Sequence, residues 1–245
     1  MENDKKYKSV FLWLIVFGVV MGLLEAIIVV NIRQIYYPTG FEFPLKIFEL
    51  KFYYIEILRE IATIVMLISI GVLVGKNLLR RFCFFLFSFA VWDIFYYIGL
   101  KLILDWPQSL LTWDILFLIP VTWTGPVLAP IISSLVFIVF SVTTVVMQER
   151  GIVRKLSFIP LLSFFLGVSI VFLLYIRDFS KIIIACGHLS RLGELANDKQ
   201  FISEITNYIP EYFEWYIFIP GELLIILTPV IIFLRGKSKN SFDNL

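Results

Sequence analysis

The chain is poor in the residues that most often announce chemistry. It has one histidine, His188, and two cysteines, Cys83 and Cys186, in 245 residues. A single histidine excludes a bis-histidine haem and any histidine-rich metal centre, and His188 reads as an ordinary surface residue. Two cysteines with no CxxC or Cys/His spacing exclude a structural zinc site. There is no Walker A loop, no G-x-S-x-G and no H-E-x-x-H. Helical di-metal proteins use Glu-x-x-His, and that pattern is missing too. The residues call for no metal and no cofactor, and no motif commits the chain to an enzymatic reaction.

Charge is also scarce. Asp, Glu, Lys and Arg make up 16% of the chain, against 60% hydrophobic residues. Soluble domains carry about 25% charged and 45–50% apolar residues. The net charge of +2 and the lack of long basic runs exclude a nucleic-acid partner. With a mean hydropathy of +0.91, the apolar surplus cannot be hidden in one small core. The surrounding solvent is therefore lipid. The N-terminal apolar stretch is longer than the 7–15 residues of a signal-peptide core, and no small-residue cleavage site follows it. It reads as an uncleaved first span.

A spanning helix needs about 20 apolar residues. Six stretches qualify: 9–31, 52–75, 82–104, 126–147, 156–176 and 215–234. The expected fold is an all-α polytopic bundle of about six spans forming a single membrane domain over 1–245. A seventh apolar piece, Ile115–Gly125, is too short to cross and is crowded by Pro120, Pro126 and Pro130. It is expected as a kinked or re-entrant segment before span four, the alternative being one long broken helix over 114–147. The loop 177–214 shows helical spacing at Ile182, Ala185, Leu189, Leu192 and Ala196, then at Phe201, Ile205 and Tyr208. Two short amphipathic helices are expected there, as a cap on the outer side.

Orientation follows the basic residues. With the N-terminus inside, the cytoplasmic pieces 1–8, 76–81, 148–155 and 235–245 hold 12 Lys and Arg in 33 residues. The outer pieces 32–51, 105–125 and 177–214 hold 7 in 79. Both termini are thus expected in the cytoplasm of a cell whose plasma (inner) membrane holds the chain. On this topology Cys83 and Cys186 lie on opposite faces and cannot pair.

Polar residues inside spans are costly and usually face a bundle interior or wet cavity. Five acids fall there: Glu25, Glu56, Glu60, Asp93 and Glu222, together with one base, Arg59. All five acids lie at the midplane or in the outer half. Gly18, Gly22 and Glu25 share a face suited to close packing. Glu56, Glu60 and Thr63 form a stripe on span two beside Arg59. Asp93, Tyr97 and Lys101 form another on span three. Glu222 follows Pro220–Gly221, a pair able to open a helix, as transporters do at ion sites. Asp114 opens the short apolar piece. Simple ion pairs can account for Arg59 with Glu56 or Glu60, and for Lys101 with Asp93 or Asp105. Five acids against two bases, Arg59 and Lys101, leave three without a cation, read as Glu25, Asp93 and Glu222, to be neutralised by a proton, by water in a cavity, or by a bound cation. The first expectation is a proton- or cation-coupled small-molecule permease or binding subunit built on this acidic cluster. Two alternatives are an accessory subunit whose charges pair with another membrane protein, and a membrane enzyme acting on a lipid-linked substrate at the outer interface. In span four, Ser133, Ser134, Ser141, Thr143 and Thr144 read as interhelical hydrogen-bond partners rather than a pore.

The topology is directly testable. Reporter fusions after residues 78 and 152 should read cytoplasmic, and fusions near 40, 108 and 195 external. An external reading at 78 or 152 contradicts the six-span orientation.

Overall fold

In the computed structural model, which describes residues 2–37, 41–46, 49–152, 158–187 and 199–242, apolar runs become helices wherever they can close their own hydrogen bonds. In lipid no water satisfies the backbone, and only helices and closed barrels meet that demand within one segment. The helices are α1 (Glu2–Tyr36), α2 (Leu50–Val74), α3 (Leu78–Leu104), α4 (Leu128–Glu149), α5 (Phe158–Ala185), α6 (Lys199–Asn207) and α7 (Trp215–Phe242). All but α6 are long and apolar enough to cross a membrane.

Small residues set the closest approaches. A Cβ placed on Gly22 of α1 would lie 2.5 Å from the Trp92 carbonyl oxygen of α3. One on Gly167 of α5 would lie 2.5 Å from the carbonyl of Gly221 in α7. These contacts define two tightly packed groups, α1 with α3 and α5 with α7. α2 packs on α3, while α4 packs against both α3 and α7 and joins the groups. At one end, Arg80 ties three helices together: it pairs with Glu149, donates to Gln148 at 2.8 Å and donates to the Tyr7 hydroxyl at 2.5 Å.

The segment before α4 is neither a helix nor a continuation of one. Strand β1 (Trp113–Phe117) pairs antiparallel with β2 (Trp123–Pro126), Asp114 opposite Gly125, with a register irregularity between Ile115 and Phe117. The long broken helix over 114–147 is therefore excluded. The expected re-entrant piece is a β-hairpin, whose strands satisfy each other where lipid offers no partner. Val127 and Leu128 continue the pattern, donating to the carbonyls of Thr112 at 3.0 Å and Leu110 at 2.8 Å. The Leu128 amide, the first of α4, is thus satisfied without a side-chain cap.

Two further expectations are corrected. α7 runs unbroken through Pro220 and Gly221; Gly221 serves close packing on α5 rather than opening the helix. Of the two cap helices only the second exists among the described residues, as α6. Ile182 and Ala185 belong to α5, which extends past residue 176 because its apolar spacing simply continues. Leu189, Leu192 and Ala196, like His188, lie outside the described residues. The segment leading into α7 is pinned to α5 by an Arg177–Glu214 ion pair and by the Tyr208 hydroxyl donating to Asp178 at 2.6 Å.

Candidate functional site

The charged stripe on α2 shows why the site lies where it does. Glu56, Glu60, Thr63, Leu67 and Gly71, its only buried residues, are spaced four, three, four and four apart. One face turns inward, and it carries both acids. That face meets α1 and α3 around a cavity of about 100 Å³ lined by Glu25, Arg33, Glu56, Arg59, Glu60, Asp93, Tyr96 and Asp114, among others. A buried water needs about 10–15 Å³ measured this way, so there is room for several waters or a solute of a few heavy atoms.

Arg59 is the hub. It pairs with Glu25 of α1, and its Nε donates to Glu56 Oε2 at 2.8 Å. Thr63 donates to the other oxygen of Glu25 at 3.3 Å. Glu60, one position further on, points elsewhere. Its carboxylate accepts the Leu118 backbone N–H at 2.9 and 3.1 Å. Leu118 is in the hairpin tip. Ten residues of α2 precede Glu60, about 15 Å of helix, so the hairpin reaches well into the bundle.

The hairpin base is fixed by a second pair. Arg33 Nη2 donates to Asp114 Oδ1 at 2.9 Å, and both side chains are buried. The Arg33 guanidinium also sits 3.9 Å from the Trp106 ring centre and 4.7 Å from that of Phe41. Burial pushes the Asp114 carboxyl up to about 6, with Arg33 opposing the shift.

Asp93 accepts a hydrogen bond from Ser134 of α4 at 2.8 Å. Glu222 accepts one from the adjacent Ser133, about 100° round α4 and outside the cavity lining. The structure therefore gathers Glu25, Glu56, Arg59, Glu60, Asp93 and Asp114 around one cavity and leaves Glu222 beside it. Glu25 is not an unpaired acid, because Arg59 reaches it across the helix gap. Tyr97 is buried in the aromatic cluster around Trp106 rather than lining the cavity. Lys101 is half exposed and pairs with Asp105 at 2.7 Å, capping the end of α3 away from the site. Ser133 and Ser134 are interhelical partners as expected, whereas Thr143 returns its hydrogen bond to its own helix.

Sequence reasoning missed Arg33 and Tyr96 as site residues. Arg33 lies eight positions after Glu25, but the apolar run ends at residue 31 and leaves Arg33 to the outer loop. Tyr96 follows Asp93 by three positions. Nothing in the sequence marked the Leu118 amide as a partner.

Fold and site together define a multi-pass helical protein with an acidic cavity among its spanning helices. Comparison with protein-family models, curated proteins and solved structures gives no match. Five carboxylates and two guanidiniums line the cavity, a formal excess of three negative charges if all are ionised. Among the described residues, no group of three or more acids, histidines or cysteines is arranged to hold a metal ion. Glu25 and Glu56 share the Arg59 guanidinium, and the other acids each meet a guanidinium, hydroxyl or amide donor of their own.

Arg59→Leu should strand Glu25 and Glu56, and removing one partner of a buried pair costs about 3–5 kcal/mol. Thermal unfolding in detergent should show a large loss for Arg59→Leu and partial recovery for Arg59→Leu/Glu25→Gln/Glu56→Gln. A triple variant no more stable than the single one contradicts the pairing.

Proposed function

We propose that the protein is a proton-coupled carrier of a small polar or cationic solute, with the acidic cavity as the place where proton and solute meet. The observation that carries this reading is the concentration of five carboxylates against two guanidiniums around one small cavity inside the spanning helices. Ionisable residues at such positions mark ion and proton pathways. Excess negative charge favours a proton or a cation over an anion. Because Glu25 and Glu56 share Arg59 while Glu60, Asp93 and Asp114 each take a different donor, proton exchange fits the arrangement better than a multidentate metal site. Asp114, with its carboxyl near 6, would change charge within the range over which membrane pH gradients operate.

Size supports a narrow substrate class. Ligand pockets for drug-sized molecules run about 300–1,000 Å³, so this cavity suits a solute with few heavy atoms. The distribution of basic residues supports both termini in the cytoplasm, with the plasma (inner) membrane as the proposed location.

The test uses the full chain in lipid vesicles on a solid-supported membrane, with rapid proton and methylammonium jumps as probes. Wild type should give a transient current on the proton jump that Asp93→Asn and Glu60→Gln abolish or sharply reduce. Wild-type vesicles indistinguishable from empty ones, or unchanged currents in both variants, contradict the reading.

A further inference from the structure

Glu222 has no place in the cavity, yet it is 5% exposed and sits in the middle of a spanning bundle. One carboxyl oxygen accepts the Ser133 hydroxyl. The other, Oε2, is buried with no hydrogen-bond partner. Among the described residues no Lys or Arg pairs with it. The group facing it from α5 is Tyr175, whose hydroxyl lies 3.3 Å from Ser133 Oγ. An orphaned oxygen on a buried acid without a cation requires an explanation, and a proton supplies one.

The neighbouring position on α4 connects this acid to the cavity. Ser134 donates to Asp93, and Asp93 shares the cavity with Glu25, Arg33, Glu56, Arg59, Glu60 and Asp114. Two adjacent hydroxyls on α4 therefore hold two carboxyls that belong to the two packed groups on either side of that helix. Tyr175 is within electrostatic reach of both.

We propose that Glu222, with Ser133 and Tyr175, is a second proton-binding site, and that it exchanges its proton with Asp93 across α4 through Ser134 and Ser133. The inference deepens the proton-coupled reading above and rests on it. A hydroxyl both donates and accepts, so each serine can relay. Adjacent helix positions diverge by about 100°, so the proposed relay requires one water between the two hydroxyls. The Asp93 proton bonds to the Ser134 oxygen as the Ser134 proton passes to the water. The water gives a proton to Ser133, and the Ser133 proton moves to Glu222. Each hydroxyl and the water gain one proton and lose one, leaving Asp93 ionised and Glu222 neutral.

Time-resolved infrared difference spectra of the full chain in lipid vesicles test this, with a drop from about pH 8 to about pH 5 spanning the carboxyl range. A protonated-carboxyl C=O band should appear in wild type, vanish in Glu222→Gln and shift in Ser133→Ala. Its rise should slow by about a hundredfold in Ser134→Ala and Asp93→Asn, as expected when a proton-transfer group is lost, and recover in Ser134→Thr. Absence of a Glu222 band in wild type, or a rise equally fast in Ser134→Ala and Asp93→Asn, overturns the proposal. A Glu222 band that depends on Asp93 in vesicles giving no proton-driven current would keep the second site and sink the carrier reading.

Discussion

Everything distinctive in this fold follows from one constraint: a charge carried into the apolar layer must bring its own partner. Arg59 meets that constraint in two directions at once, toward Glu56 on its own helix and Glu25 on α1. α2 packs broadly only on α3, and the outward face of α2 is bare apolar surface. The Arg59–Glu25 pair links α2 to α1 across the cavity that both helices line.

The hairpin obeys the same rule with backbone groups. Non-helical backbone survives at this depth only where protein or a wet cavity satisfies it. The ladder of β1 with β2 satisfies most of its groups, Glu60 takes the tip amide at Leu118, and the Arg33–Asp114 pair holds the base. The aromatic faces of Trp106 and Phe41 cover the Arg33 guanidinium, and cation–π contacts of this kind strengthen when water is excluded. Two acids with opposite duties thus frame the hairpin. Glu60 grips the tip, and Asp114 anchors the base.

The helical architecture was legible in the sequence because its signal is length and apolarity, both of which are local. So was the inward face of α2, since Glu56, Glu60 and Thr63 repeat at helical spacing. Which partner each charge takes was not legible. Spacing fixes the face a residue occupies but not the rotation of one helix against the next, and so it offers Arg59 either Glu56 or Glu60 and leaves Glu25 without a partner. The hairpin was hidden for a different reason. Its short apolar run sits among prolines that argue against helix, but the pairing joins residues 6 to 13 positions apart across a turn, with a register irregularity and no clean alternation to reveal it. Glu222 was grouped with the cavity acids by depth alone, and depth says nothing about which side of α4 a residue faces.

The central claim is that polar space exists between α1, α2, α3 and the hairpin, within helices otherwise turned to lipid. Cysteine accessibility tests it most directly. In a chain with Cys83 and Cys186 replaced, single cysteines would be placed at Val29 and Ile32, which line the cavity, and at Leu24 and Ile27, which lie on the exposed face of the same helix. Labelling by a small charged thiosulfonate reagent in intact membranes should be fast at 29 and 32 and absent at 24 and 27. Equal labelling at all four positions, or labelling at none, would contradict the account.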